Sequence, residues 1–252
     1  MPLCAHPAPI SPEVEQVGPD WLIWTDEHWR PLPEWFAPEW HAAEGRIDGE
    51  ASGRGTTIYS VLLSTPVVLR HYRRGGAVRH LMADRYVWRG LRATRAWREI
   101  VLQARLHRAG LPVPAPIAAR IRRPTSTSAF YRADLLSARL PNTRTLAQAL
   151  ASAPLDTATW GAVGATIARF HRTGVDHADL NAHNILLDEH AGVYLIDFDR
   201  GRLRARSGAW RERNVRRLRR SLEKLAHQDR TNHFTEEGWT ALREAWSQGL
   251  DA

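Results

Sequence analysis

Residues 177–199, HADLNAHNILLDEHAGVYLIDFD, constrain this chain more than any other stretch. Asp179 follows His177 by two positions, Asn184 follows Asp179 by five, and Asp197 opens an Asp-Phe-Asp after the apolar run Val193, Tyr194, Leu195, Ile196. Short apolar runs on either side of a polar turn at 188–192 predict two strands, 185–187 and 193–196, folded back on one another. That hairpin brings both acidic ends to one place. An Asp beside an attacking hydroxyl, with an Asn and a second Asp as hard oxygen ligands for Mg²⁺, is the set that phosphoryl transfer asks of a protein.

At 252 residues and 43% hydrophobic, the chain can bury an ordinary core, as one domain or one two-lobed unit. Cys4 is the only cysteine, which excludes an internal disulfide and a Cys-based zinc site and fits a reducing compartment. No window reaches the roughly 18 apolar residues of a membrane span, and the first twenty residues lack a signal-peptide pattern, so any work at a membrane is expected from its surface. Net charge is +8, and Lys224 is the sole lysine among 35 basic residues. Such an excess favours polyanions: anionic lipid headgroups, a phosphorylated substrate or nucleic acid. The charge comes with no nucleic-acid reader motif, so no specific nucleic acid is expected.

Residues 2–19 read as a loose, Pro-rich lead-in. Trp21, Trp24, Trp29, Trp35 and Trp40 follow, five of eleven tryptophans, broken by Pro31, Pro33 and Pro38 and accompanied by five acidic residues. This segment is expected to plug onto the body of the protein, because acidic patches are repelled by anionic lipid. A hairpin is predicted over 56–63 and 67–69, approached by Gly53 and Gly55, whose backbone amides can come close to phosphate oxygens. From His71 onward arginines dominate. A helix is predicted over 91–109, carrying Glu99 and ended by Gly110. Pro112, Pro114 and Pro116 make 111–121 the entry to an edge strand. Strand 129–140, helix 145–151, and a helix capped by Thr157 or Thr159 and ended by Gly174 complete the approach to His177. Beyond Asp199, a basic helix is predicted over 210–225 and a last helix over 236–246.

This order resembles the protein-kinase-like fold with its histidine-aspartate catalytic loop and Asp-Phe-Gly metal motif. Residues 68–76 (VLRHYRRGG), 84–88 (DRYVW), 110–120 (GLPVPAPIAAR), 131–136 (YRADLL) and 196–204 (IDFDRGRLR) look more narrowly like the bacterial Kdo kinases, which phosphorylate 3-deoxy-D-manno-octulosonic acid (Kdo) on lipid A. The resemblance covers roughly 45–225. It implies an α+β, two-lobed fold: a small, mostly antiparallel β N-lobe with one main helix over 45–142 and a larger, mostly helical C-lobe over 143–252, with 1–44 packing on the body.

The same resemblance implies ATP and Mg²⁺ as cofactors and Kdo-lipid A as acceptor. The place of work it implies is the cytoplasmic face of the bacterial inner membrane, peripherally bound on an anionic surface. Asp179 would orient or deprotonate the sugar hydroxyl, Asn184 and Asp197 would hold Mg²⁺, and His177 would support the loop. Glu99 would brace the residue touching the nucleotide phosphates, with Gly53 and Gly55 near them. Two positions depart from the kinase pattern. Arg70 stands where most kinases have a lysine, leaving Arg70, Arg73 or Arg74 for the phosphate contact; guanidinium and ammonium are not equivalent there. Asp199 replaces the glycine of the metal motif and adds a second carboxylate. Alternatives are a heptose kinase or antibiotic phosphotransferase on the same fold, or a nucleotide-binding pseudokinase, which Arg70 motivates.

Overall fold

A computed structural model describes residues 7–47, 49–51, 57–73 and 84–251. The chain divides into two compact units, one of residues 9–105 and 114–140, the other of 106–113 and the residues from 141 on. The Trp-rich segment thus belongs with the strands that follow it.

The first unit is built on antiparallel strands: β1 (Glu13–Val17), β2 (Asp20–Trp24), β3 (Gly49–Ala51), β4 (Thr57–Leu62), β5 (Thr65–His71), β6 (Tyr86–Val87), β7 (Pro116–Arg122) and β8 (Phe130–Ala138). Their order is β1-β2-β7-β8-β5-β4-β3, with β6 on β8. Two expectations are corrected here. The lead-in is not loose: β1 pairs with β2 through a turn at Gly18 and Pro19, where Gly18 takes φ +58. No residue of β1 is buried, so it lacks the apolar alternation that would betray a strand, and its backbone bonds to β2 hold it. Nor is β7 an edge strand, because β2 pairs along its outer side. Its prolines are harmless there: Pro112 and Pro114 precede it and Pro116 is its first residue, where no N–H is missed.

Alternation along β2 sends its side chains to two cores. Leu22 and Trp24 join Trp35, Phe36, Ile58, Leu69 and Leu136 on one face of the sheet, while Ile23 joins Ala119, Ile121, Ala133 and Leu135 on the other. The first face is covered by the Trp-rich segment, whose prolines limit it to short turns and the helix α1 (Pro38–Ala43). Fully buried His41 locks that cover: its Nε2 donates to the Trp35 carbonyl and its Nδ1 accepts from Ser60 on β4, each at 2.8 Å. The second face receives α2 (Arg95–Arg108) through Ala96 and Ile100. This helix starts later than predicted. Residues Leu91–Ala93 form a separate tight turn, and Thr94 Oγ1 accepts from Trp97 N at 3.4 Å at the helix start.

The second unit is mostly helical: β9 (Arg144–Thr145), α3 (Leu146–Ser152), α4 (Thr157–Arg172), β10 (Val175–Asp176), β11 (Ile185–Leu187), β12 (Val193–Leu195), β13 (Arg202–Leu203), α5 (Trp210–Gln228) and α6 (Glu236–Asp251). Asp156, rather than Thr157 or Thr159, caps α4 by accepting from Thr159 N at 2.7 Å, which contributes about 1 kcal/mol. Gly164 lets α4 lie against α6, since a Cβ there would collide with the Leu242 carbonyl. On α5, Val215, Leu218 and Leu222 are fully buried, each stabilising the unit by about 1.5–3 kcal/mol. The opposite side of that helix is left for arginine.

Candidate active site

The helical unit assembles the 177–199 stretch. Gly174, at φ +81, turns the chain out of α4 into β10, and the loop follows at once. His177 is buried and spans the loop: its backbone N donates to Asn214 Oδ1 at 3.0 Å, and its Nε2 donates to the Ile196 carbonyl at 2.8 Å. It therefore joins the loop after β10 to the residue just before Asp197. Its ring also packs on Phe198, 4.7 Å away, and Phe198 stacks on Phe170 of α4. Clamped from both sides, Asp197 adopts φ +65, a left-handed conformation that is costly for a non-glycine residue and persists only where its surroundings impose it.

Asp179 is fixed through its own carbonyl, which accepts from Asn181 Nδ2 at 2.8 Å and Asn184 Nδ2 at 3.0 Å. With its amide nitrogen so engaged, buried Asn184 has Oδ1 to offer a ligand, the atom type a hard cation takes. The hairpin behind them forms as predicted, except that the second strand stops at Leu195; Ile196 N turns to the Asn184 carbonyl at 3.1 Å. Asp188 folds the hairpin by accepting from His190 N at 2.8 Å and Gly192 N at 2.6 Å. Asp199 is half-buried two residues past Asp197. Among the described residues no three His, Cys, Asp or Glu side chains converge as a metal cage. One amide oxygen and one or two carboxylates instead fit Mg²⁺, which keeps waters and takes its other oxygens from phosphates.

One partner of this loop is not evident in the sequence. Arg217 Nη1 lies 2.9 Å from Asp179 Oδ1. It comes from α5, where Asn214, Arg217 and Ser221 recur at three and four, the spacing of one helix face. Asn214 holds His177 N and donates to Asp176 Oδ1 at 2.8 Å, Arg217 meets Asp179, and Ser221 Oγ accepts from Ala182 N at 3.2 Å. Ten arginines crowd residues 200–220, and nothing in their spacing marks which one faces the loop.

In the strand unit, Arg70 on β5 and Glu99 on α2 are in contact, Nη2 to Oε2 at 2.5 Å. Glu99 is 1% exposed and also accepts from Tyr72 Oη, while the Arg70 guanidinium lies 4.9 Å from the Tyr72 ring. The carboxylate is thus held by a cation and a hydroxyl, and the Arg70 side chain is 25% exposed. Arg73 is exposed. Gly53, Gly55 and Arg74 lie outside the described residues.

A family model described as "Lipopolysaccharide kinase (Kdo/WaaP) family" matches residues 38–246, most of the chain. The chain belongs to this family. Kdo/WaaP-family relatives include the 3-deoxy-D-manno-octulosonic acid kinase of Vibrio parahaemolyticus, 41% identical over 90% of this chain and 94% of its own. The protein of that name from Stenotrophomonas maltophilia K279a is 43% identical over 85% of each chain. That of Xanthomonas axonopodis pv. citri is 44% identical, also over 85% of each. Among solved structures, WaaP in complex with acyl carrier protein matches with a TM-score of 0.52 and 16% identity, covering 90% of this chain and 88% of that one, a likeness of fold. The fold is the kinase-like α+β architecture of the family, and membership makes this chain an ATP-using phosphotransferase with a sugar hydroxyl as acceptor.

Proposed function

We propose that the protein is an ATP- and Mg²⁺-dependent Kdo kinase that phosphorylates one hydroxyl of Kdo on Kdo-lipid A, the 4-hydroxyl by resemblance, in assembly of the lipopolysaccharide core. The observation that carries the reading is the clamp on Asp179: two side-chain amides hold its carbonyl, one of them from Asn184, while His177 ties the same loop to the carbonyl before Asp197. Proton acceptor and metal donors are thereby fixed relative to one another, and such preorganisation can supply much of a barrier reduction in phosphoryl transfer.

In this reading Asp179 takes the hydrogen bond of the acceptor hydroxyl and receives its proton as the hydroxyl oxygen bonds the γ-phosphorus of ATP and the bond from that phosphorus to the β,γ-bridging oxygen breaks, releasing ADP. Asn184 Oδ1 and Asp197, with Asp199 as a further carboxylate, would hold Mg²⁺, which would neutralise charge on the nucleotide phosphates. Arg70 is the phosphate contact, aimed by Glu99 and Tyr72. No helix among the described residues is long and apolar enough to cross a membrane. In this reading the protein meets its lipid acceptor at the cytoplasmic face of the inner membrane, where surface arginines contribute about 1 kcal/mol each near anionic headgroups. Purified protein with Mg²⁺ and ATP labelled in the γ-phosphate should label Kdo-lipid A. The Asp179→Ala form should lose at least about 10²-fold in kcat with an unchanged melting temperature, since Asp179 is half-exposed. No label, or equal rates in both forms, would refute this function.

A further inference from the structure

The side chains of α5 sort by angle around the helix. At 100° per residue, Val215, Leu218 and Leu222 occupy the buried side, and Arg219 lies on the flank beyond them, paired with Glu223 at 2.6 Å and Glu236 at 2.9 Å. Asn214 and Ser221 hold the catalytic loop from the other flank. Arg213, Arg217, Arg220 and Lys224, spaced four, three and four, form the remaining stripe. Arg213, Arg220 and Lys224 are exposed and have no acidic partner among the described residues, whereas Arg217 stands where the stripe meets the loop, on Asp179. A solvated basic face would account for three of these side chains but not for a guanidinium placed on the carboxylate that must meet the acceptor hydroxyl.

We propose that Arg217 is the residue by which this enzyme recognises the acidic group of its acceptor, with Arg213, Arg220 and Lys224 extending that recognition to further anionic groups of the same glycolipid. The proposal rests on the Kdo-kinase reading, in which the acceptor is a sugar acid. A hydroxyl hydrogen-bonded to Asp179 at about 3 Å places the rest of its sugar beside the Arg217 guanidinium. A planar guanidinium is matched to a carboxylate, which it can bind with two parallel hydrogen bonds. Both partners of the Arg217–Asp179 contact are about two-fifths exposed, so the pair is weakly held and Arg217 can turn to an arriving carboxylate while Asp179 turns to the hydroxyl.

The test compares a Kdo-bearing acceptor with its methyl ester. For the intact enzyme the acid should be the better substrate. Arg217→Ala should raise KM for the acid about tenfold to a hundredfold, the loss of a charge-assisted contact, while leaving the ester little affected and KM for ATP unchanged. Arg217→Lys should recover part of the preference. Arg216→Ala, on the same helix but off the stripe, should match the wild type. Equal losses on acid and ester would make Arg217 a brace for Asp179 and overturn the proposal, as would no loss on either. A wild-type enzyme that phosphorylates neither acceptor would instead remove the Kdo-kinase reading on which the proposal rests.

Discussion

At the scale of single residues, Glu99 and Arg70 form the ion pair on which the proposed phosphate contact depends. Glu99 is buried against Arg70 and Tyr72, and the Arg70 side chain that it holds keeps a quarter of its surface exposed. Glu99→Ala should therefore cost on the order of 2–3 kcal/mol, moderated by the exposure of Arg70, and raise KM for ATP about tenfold; thermal melting and steady-state kinetics check both. Arg70 and Glu99 were legible as candidates from their places in the chain, but Tyr72 was not, because nothing in the sequence tells which way a residue at the end of a strand will face. His171 makes a different prediction. It is buried, its Nδ1 accepting from Trp246 Nε1 at 2.9 Å, and burial, with the positive charge of Arg211 adding to it, pulls its pKa from 6.5 down to about 3. In that window the unfolded chain binds a proton that the folded chain refuses. Stability is then full above pH 6.5 and lost as pH falls toward 3, by up to about 1.4 kcal/mol per pH unit. His171→Gln keeps an acceptor for Trp246 and should flatten the dependence of Tm on pH there; an unchanged slope would contradict this.

Among the elements, α5 does the work that the sequence revealed least. Its amphipathic pattern was readable, but its contacts with the loop were not, since Asn214 and Asp176 are 38 positions apart and the pairing exists only once the chain has folded. Asn214→Ala would leave His177 N and Asp176 Oδ1 without their partner, costing roughly 2–3 kcal/mol in Tm-derived stability. It should also lower kcat about tenfold or more through a loosened Asp179, with KM for ATP unchanged, which distinguishes it from Glu99→Ala. The strands give the complementary lesson. The 185–195 hairpin was legible because its turn and both strands are contiguous, whereas the central place of β7 depends on β2, some hundred residues earlier, and β1 has no buried side at all.

For the whole molecule, sequence spacing and family membership agree on a sugar kinase. The arginine excess is not uniform in purpose. Arg204 pairs with Asp176 at 2.5 Å, Arg211 donates to the His171 carbonyl at 3.2 Å and Arg243 pairs with Glu212 at 3.0 Å, all within the helical unit. Others, such as Arg213 and Arg220, are exposed, and the proposed recognition of an anionic glycolipid draws on these. That division was invisible in composition, which counts charges without saying which are spent inside. The claim that the molecule places one phosphate on Kdo is tested most directly by mass spectrometry of lipopolysaccharide from cells lacking this protein. The account predicts that the Kdo residue loses the mass of one phosphate and regains it on return of the wild-type gene but not of Asp179→Ala. An unaltered Kdo, or restoration by the Asp179→Ala form, would contradict it.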